Sequence, residues 1–350
     1  MTATTMKPAV KATGASSSAV HNEMSHGQNT GKRIGAVAVR LGAIATFAVI
    51  LIYFALFAPG FLSSFNLINV VEQSAILGVL AFGMAVVIIG GGSNVTEGGI
   101  DLSIAANMGL CAAVFATVLQ AGYPDAVAIL AAIIVGIAVG ALNAVAVVGL
   151  GILPLLASLA VMNIAAGAEL TLTQNTVVGA ASPLLAFLVA GSFLGISALA
   201  WCLILFSAIM LVFIHKTAFG LRLYAVGGHP EAARAAGISV PLHVAFTYMF
   251  SGFCAAIASV LAVSRLSAST PGSGEMLLSV LAAALLGTVF SRRLVPTIGG
   301  TLLSVLFIGF LANGFQLLNV SSYWVNGVQG ALILLVVAVT SFARGPEASR

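Results

Sequence analysis

The stretch KTAFGLRLYAVGGHPEAARAAGISVP, residues 216–241, is a long polar interruption in an otherwise apolar chain, and we call it the polar segment. It holds three basic residues, Lys216, Arg222 and Arg234. Apolar runs lie on both sides of it, at 194–215 and 242–264. Each has the length of about 20 residues that a helix needs to cross a bilayer. A wet segment between two such runs indicates a polytopic membrane protein that turns back here at the membrane surface.

Composition excludes several classes of protein. Of the 350 residues, 60% are hydrophobic and 6% are charged, whereas a soluble domain carries about 25% charged residues. The net charge of +4 comes from scattered basic residues that form no patch, so nucleic acid is not an expected partner. The five histidines lack metal-ligand spacing, and no nucleophile motif or paired carboxylates occur. We therefore expect neither an enzyme nor a bound cofactor or metal.

Apolar runs long enough to span a bilayer predict an all-α, polytopic membrane helix bundle of about ten transmembrane helices. The piece at 183–190 is too short to span and is predicted to lie at the interface, with a break at Gly191 and Gly195. The run at 275–290 is short, which is typical of a broken element that lines a pathway. The ten predicted spans are 36–58, 67–90, 99–119, 124–148, 152–170, 194–215, 242–264, 275–290, 297–318 and 322–342.

The distribution of positive charge predicts the topology. If the basic N-terminal tail is inside and the chain crosses ten times, 12 of the 13 Lys and Arg residues are cytoplasmic and Arg265 lies outside. Both termini are then cytoplasmic. We predict a disordered tail at 1–35, a transmembrane domain at 36–343 and a short cytoplasmic tail at 344–350. Within the domain, Gly136 and Gly140 form a G-x-x-x-G pattern that favours close helix packing.

Amides dominate the polar residues at membrane depth, and carboxylates are few. Amides beside aromatic rings suit a neutral polyhydroxylated solute, which needs donors, acceptors and faces to stack on. Hydrogen bonding between helices would use the same residue types and stays open for each single amide. Asp101 and Ser103 likewise have two interpretations, a helix cap or a solute contact. The residues that we predict along a translocation pathway are Asp101, Ser103, Asn107, Asn313, Gln316, Asn319 and Tyr323.

The polar segment carries the signals of a short, rigid helix. Pro230 suits a first helical turn, and the alanines that follow favour continuation. Glu231 lies in the first turn, where it complements the helix dipole, and Arg234 follows one turn later. Gly237 suits a left-handed stop. A rigid surface helix of this kind can fit a groove on a partner and transmit a motion.

Three blocks resemble the ribose-type permeases of ABC importers, in the superfamily of branched-chain amino acid and sugar permeases. They are Thr217–Val240 in the polar segment, Gly98-Gly-Ile-Asp-Leu-Ser103, and Asn313-Gly-Phe-Gln-Leu-Leu-Asn-Val-Ser-Ser-Tyr323. The resemblance covers roughly 40–343. This chain departs from the family pattern at Ser93–Glu97, which is inserted, and at Ser291–Pro296, where the family has a glycine-rich loop.

The resemblance implies a type II importer fold in the inner membrane and a monosaccharide as the solute. It also implies three protein partners: an ABC ATPase subunit, a periplasmic or extracellular sugar-binding protein, and a second permease copy, identical or related. Arg265 and Glu275 match an outer loop of the family and are candidates for docking the binding protein. The residues that it implies for coupling to the ATPase are Gly220, Arg222, Gly227, Glu231, Ala232, Ala233, Arg234 and Gly237.

Other functions stay open at this point. Another ABC permease solute, such as a branched-chain amino acid or a nucleoside, fits the same architecture. An ion-coupled secondary carrier is disfavoured because carboxylates are few and lie near the predicted span ends. A purely structural membrane-anchoring subunit would leave the amides of the last two spans without a role.

Overall fold

The computed structural model describes residues 44–45, 47–92, 99–291, 295–321, 324–331 and 334. The described chain is a bundle of helices with connections that carry two small strand pairs. In order, the helices are α1 (Phe47–Phe57), α2 (Ser64–Gly91), α3 (Ile104–Gln120), α4 (Asp125–Ala144), α5 (Pro154–Thr173), α6 (Pro183–Ala190), α7 (Ala198–Lys216), α8 (Ala218–Gly228), α9 (Pro230–Ala235), α10 (Val240–Leu266), α11 (Leu277–Val289) and α12 (Ile298–Leu317). A further helical stretch covers 324–331.

Six of the described helices are long and apolar enough to cross a membrane: α2, α4 with its π-helical extension Val145–Gly149, α5, α7, α10 and α12. Three shorter apolar helices, α1, α3 and α11, also coincide with predicted spans. These nine helices of the described residues confirm a helical membrane bundle. The count of ten stays a prediction, because most of the span predicted at 322–342 lies outside the described residues.

The bounds predicted for the short piece at 183–190 are correct, since α6 covers Pro183–Ala190. Its place at the membrane interface stays a prediction. Its start is fixed by Ser182, whose side chain accepts a hydrogen bond from the Leu185 N–H at 3.2 Å. The predicted break after it holds a tight hairpin, in which β2 (Ser192–Phe193) pairs with β3 (Ile196–Ser197). Gly195 in the turn has a φ of 76°, which glycine adopts without strain. The hairpin delays the start of α7 to Ala198.

The prediction of an all-α chain needs a small correction, because a second strand pair joins two distant connections. β1 (Val178–Gly179), after α5, pairs antiparallel with β4 (Ala268–Ser269), after α10. The Ala180 N–H extends the pairing by donating to the Ser267 carbonyl at 3.0 Å. Both pairs are only two residues long per strand, so they fasten connections and do not form a layer of the fold.

The core is centred on α2, which packs against α7, α10, α11 and α12. Of its most apolar stretch, 89% is buried, against 28% for α5 and 33% for α4. α4 lies close to α10, as the G-x-x-x-G pattern predicts. A β-carbon on Gly136 would lie 2.4 Å from the Gly252 carbonyl oxygen, and one on Gly140 would lie 2.3 Å from that of Tyr248. Only glycine permits this approach of two backbones.

The three cysteines are free thiols, and they are not equally buried. Cys111 and Cys254 are buried, and Cys202 on α7 is half-buried. These cysteines therefore form no disulfide, and the chain is held together by helix packing.

Candidate functional site

A cavity of about 790 Å³ lies between α2, α11, α12 and the helical stretch 324–331. Gln316 and Asn319, two of the residues predicted along a pathway, line it and are exposed to it. Three further amides that were not among the predicted site residues join them: Gln73 on α2, and Asn326 and Gln329 on the stretch 324–331. The wall thus offers both N–H donors and carbonyl acceptors, which neutral hydroxyl groups can satisfy.

The end of α12 explains how its amides reach the cavity. Asn319 takes a left-handed conformation with a φ of 56°, and its N–H donates to the Gln316 carbonyl at 3.1 Å. Asparagine tolerates this conformation better than most residues. The turn ends the helix between the two side chains and leaves both facing the hollow. Ser279 on α11 also lines the cavity and donates to Gln329 Oε1 at 2.8 Å, which fixes that side of the wall.

A second cavity of about 560 Å³ adjoins the first and shares Gln73, Glu275 and Met276 with it. Arg265, at the end of α10, lines this second cavity. Arg265 and Glu275 are both exposed, so charge of both signs lies at the surface beside the amide-lined hollow. The structure thereby brings the two predicted docking residues to the edge of the predicted pathway.

Asn313 belongs to a helix contact and does not line either cavity. Its side-chain amide and that of Asn66 on α2 exchange two hydrogen bonds, at 2.8 and 3.0 Å. Asn66 also donates to the Phe61 carbonyl at 2.9 Å. Both side chains are buried. This reciprocal pair is the hydrogen bond between helices that the sequence left open as an alternative.

Asp101 is the centre of a buried polar cluster, which we call the Asp101 cluster. Its Oδ1 accepts hydrogen bonds from the Ser103 N–H at 3.0 Å, the Ser103 hydroxyl at 2.6 Å and the Asn143 amide at 3.3 Å. Its Oδ2 accepts one from Ser251 at 2.6 Å. Each of these hydrogen bonds compensates part of the cost of burying the carboxyl group. They join the turn before α3 to α4 and α10, and none of the residues in the cluster lines either cavity.

The structure supports the helix-cap interpretation of Asp101 in part. The carboxylate does accept a backbone N–H at the start of α3, but the N-cap residue, Ser103, makes no capping bond with its own side chain. Asn107 lies one turn further along, and it donates to the Gly136 carbonyl on α4 at 3.1 Å. Asp101, Ser103 and Asn107 therefore hold α3 against α4. Tyr323 lies outside the described residues, and so does the inserted segment Ser93–Glu97.

The polar segment folds into two helices, of which the sequence predicted the second. α9 begins with Pro230 at its first turn and ends in a left-handed Gly237 with a φ of 78°. The Ile238 N–H donates to the Ala233 carbonyl and the Gly237 N–H to that of Arg234, both at 2.9 Å. This pair of bonds is a Schellman motif, which satisfies carbonyls at the helix end. The local prediction for α9 is confirmed.

The surface of α9 is largely solvent-exposed, including Glu231, Ala232 and Arg234. Glu231 and Arg234 form an ion pair one turn apart. Ala233 points the other way and is buried with Val226 of α8 and Val240 of α10. The small apolar contact fixes the helix to its neighbours, while its other face stays free.

α8 was not predicted, because three glycines in its eleven residues are typical of a loop. Thr217 caps it by accepting the Gly220 N–H at 3.3 Å. Gly220 and Gly227 lie against other backbones: a β-carbon would lie 1.9 Å from the Ile214 carbonyl oxygen at the first, and 1.8 Å from that of Ile89 at the second. Arg222 is exposed on the opposite side. Packing at these glycines compensates for their low helix propensity.

Tyr224 links α8 to the segment that departs from the family pattern. Its hydroxyl donates to the Pro296 carbonyl at 2.9 Å, two residues before α12 begins. Burial raises the pKa of Tyr224 to about 12, so the hydroxyl stays protonated and keeps its role as a donor. Sequence reasoning missed this contact, because the two residues are 72 positions apart.

Comparison with known proteins gives the family. The family described as branched-chain amino acid transport system permease components matches residues 66–337. The ribose import permease of Bacillus subtilis is 35% identical over 301 residues, which covers 85% of this chain and 91% of that protein. The ribose import permease of Escherichia coli K12 is 31% identical over 287 residues, covering 81% and 87%.

The galactose/methyl galactoside import permease of Escherichia coli K12 is also similar, with 31% identity over 307 residues that cover 81% of this chain and 88% of that protein. These matches cover most of the bundle, both cavities and the polar segment, since the family match alone spans residues 66–337. They agree with a helical protein of the inner membrane that transports and is not an enzyme. The chain therefore belongs to the family of branched-chain amino acid transport system permease components, which confirms the resemblance to ABC permeases found in its sequence motifs.

Proposed function

We propose that this chain is the membrane-spanning permease subunit of an ATP-binding-cassette importer that translocates a monosaccharide. The observation that carries the choice of solute is the cavity lined by Gln73, Gln316, Asn319, Asn326 and Gln329. Amides satisfy hydroxyl groups without a charge. The relatives named as ribose and galactose import permeases support the same solute class.

The solute pathway in this proposal runs through the two adjoining cavities. Gln73 and Glu275 line both, so they lie where the hollows meet. Gln316 and Asn319 form the wall of the larger one. Asp101, Ser103, Asn107 and Asn313 support the helices that enclose the pathway, because they are buried in hydrogen bonds between those helices.

The polar segment is the coupling loop to a separate ATPase subunit, which hydrolyses the ATP. Its exposed face, with Arg222, Glu231, Ala232 and Arg234, is the surface offered to that partner. Gly220, Gly227, Ala233 and Gly237 shape the loop from within. A rigid helix seated in a partner's groove moves with it, and the bundle then opens alternately to each side.

Arg265 and Glu275 belong to the docking site of a periplasmic or extracellular binding protein. Their exposure beside the second cavity supports this role, because a docked protein would release its sugar directly into the hollow. In this arrangement both termini are cytoplasmic, with tails at 1–35 and 344–350. The working assembly contains two permease copies, identical or related, embedded in the bilayer.

The test is reconstitution into liposomes with the ATPase and the binding protein, followed by uptake of radiolabelled ribose and galactose. We expect uptake that requires all components and ATP. Uptake by the chain alone, driven by an ion gradient, would support a secondary carrier and overturn the proposal. ATP-dependent uptake of leucine but of no sugar would keep the importer and replace the solute by an amino acid.

A further inference from the structure

The last turn of α2 lies directly against the backbone of α8. A β-carbon on Gly227 would lie 1.8 Å from the Ile89 carbonyl oxygen and 3.2 Å from the Gly92 nitrogen. In the other direction, a β-carbon on Gly92 would lie 2.9 Å from the Gly227 carbonyl oxygen. The two backbones touch without a side chain between them. Such a contact has no flexible group that could absorb a displacement.

A second contact, one helical turn away, extends this interface along α8. Leu223 lies four residues before Gly227, on the same face of α8. Its Cδ1 would be 2.7 Å from a β-carbon on Gly90, and Thr247 of α10 approaches the same glycine on another side. Leu223 is fully buried. Two contacts along one face fix the orientation of α8 relative to α2 as well as its position.

The other half of α2 lines the cavity. Gln73, Ser74 and Leu77 face the hollow. They precede Gly90 by up to 17 positions in the same uninterrupted helix, which places them about 25 Å from the contact with α8. α2 contains no proline and is the most deeply buried of the long helices. It therefore moves as one rigid element.

Of α2, α7, α9 and α10, the helices packed against α8, α2 alone contributes residues to the larger cavity among the described residues. α7 and α9 are chain neighbours of α8, and α10 lines only the smaller cavity with its far end. The remaining link, from Tyr224 to Pro296, is a single hydrogen bond to a connection. The direct rigid route from the polar segment to the amide-lined wall is α2.

We propose that α2 is the element that carries the motion of the polar segment to the solute cavity, with Gly227 as the positioning residue. Gly227 faces inward, so its role is to seat α8 on α2 and not to touch the ATPase. This inference rests on the proposed importer function. A side chain at Gly227 separates the two backbones and leaves the ATPase free to turn over without moving the cavity wall.

Gly228 provides a matched control. It is the next residue, it is exposed, and a β-carbon on it would meet nothing within 4 Å. The experiment compares Gly227→Ala with Gly228→Ala in the complete complex with ATPase and binding protein. A reporter cysteine replaces Gln73 in a chain whose own cysteines are changed to alanine. A maleimide measures its accessibility in nucleotide-free and vanadate-trapped complexes, and uptake is measured in chains that keep Gln73.

We expect the accessibility of the reporter to change severalfold between the two states in the parent and in Gly228→Ala. In Gly227→Ala the change is lost and uptake falls to background, while the ATPase still co-purifies and hydrolyses ATP. Normal uptake and a normal accessibility change in Gly227→Ala would overturn the inference. Absence of ATP-driven uptake in the parent chain would instead overturn the importer function itself.

A second measurement avoids any change at Gly227, in case Gly227→Ala fails to assemble. Spin labels at Gly228→Cys and Gln73→Cys report the distance between α8 and the cavity end of α2. We expect this distance to stay constant between the two states, while the distance from Gly228→Cys to Leu278→Cys on α11 changes. A change in the distance between α8 and α2 would contradict rigid transmission even in a complex that transports normally.

Discussion

At the residue scale, similar polar side chains have different tasks that depend on their partners. Asn313 and Gln316 lie three positions apart on α12. The first is buried in a reciprocal amide pair, and the second is exposed to the cavity. Their sequence context is alike. Their roles differ because Asn66, 247 positions from Asn313 in sequence, lies next to Asn313 in the structure. The sequence could therefore predict a set of polar residues but not the division of labour within it.

The amide pair gives a matched prediction. Asn313→Ala removes two buried hydrogen bonds and should lower the free energy of unfolding by about 2 kcal/mol, since each contributes about 1 kcal/mol. Gln316→Ala should leave stability unchanged and raise the sugar concentration needed for half-maximal uptake. Thermal unfolding in detergent and liposome uptake measure the two effects. The assignment fails if the two variants exchange their phenotypes.

The Asp101 cluster gives a second prediction at this scale. Asp101→Ala leaves the Ser251 hydroxyl and the Ser103 N–H without their buried acceptor, while Asn143 still donates to the Ser103 hydroxyl at 2.7 Å. We expect a loss of about 3 kcal/mol of stability, because a buried donor left unsatisfied costs about 1–3 kcal/mol. The unfolding midpoint and the yield of folded protein report it. If Asp101 contacts solute instead, the variant keeps its unfolding midpoint and changes the dependence of uptake on sugar concentration.

At the element scale, local chemistry predicted α9 and missed α8. Pro230 and Gly237 act within their own turn, so the sequence contains all that their prediction needs. α8 forms although Gly220, Gly227 and Gly228 weaken it, because Leu223 and Val226 are buried against other elements. The residues that α8 contacts, such as Ile89 beside Gly227 and Pro296 beside Tyr224, are remote in sequence. A helix that depends on packing cannot be predicted from the local sequence pattern.

The end of α9 gives a prediction at this scale. Gly237→Val places a β-branched residue in a left-handed conformation, which costs at least about 1–2 kcal/mol, and it opens the Schellman motif. Transport should be abolished while the protein remains in the membrane. Gly237→Asn is the matched control, because asparagine tolerates this conformation, and no neighbour lies within 4 Å of a β-carbon there. Uptake by the two variants is measured in liposomes. Normal uptake by Gly237→Val would contradict the role of α9 in coupling.

At the scale of the whole molecule, periodicity and hydropathy could predict the bundle. The predicted spans and the observed helices differ mainly at their ends: α3 begins at Ile104 because the Asp101 cluster occupies the turn before it, and α10 begins at Val240, inside the polar segment. The cavities could not be predicted, since α2, α11 and α12 meet only in three dimensions. α11 is about 20 Å long, well short of a bilayer core. Its Ser279 lines the larger cavity, and Glu275 and Met276 in the turn before it line both, as a short element suggested.

Docking gives a prediction at this scale. Arg265→Glu reverses an exposed charge at the mouth of the second cavity, so we expect weaker binding of the sugar-loaded binding protein and a smaller dependence of association on salt. Surface plasmon resonance on nanodiscs measures both. Co-purification of the ATPase should be unchanged, because Arg265 is remote from the polar segment in sequence and topology. Unchanged affinity for the binding protein would exclude Arg265 as a contact.

The strand pair between Val178–Gly179 and Ala268–Ser269 has a mechanical consequence for such a transporter. It ties the end of α5 to the end of α10, and the glycine contacts of Gly136 and Gly140 tie α10 to α4. Three of the long helices thus form a stator, fastened at the same margin as the smaller cavity. We expect the rotor to be α2, in the opposite wall, so that a sugar enters when α2 moves against a frame that stays still.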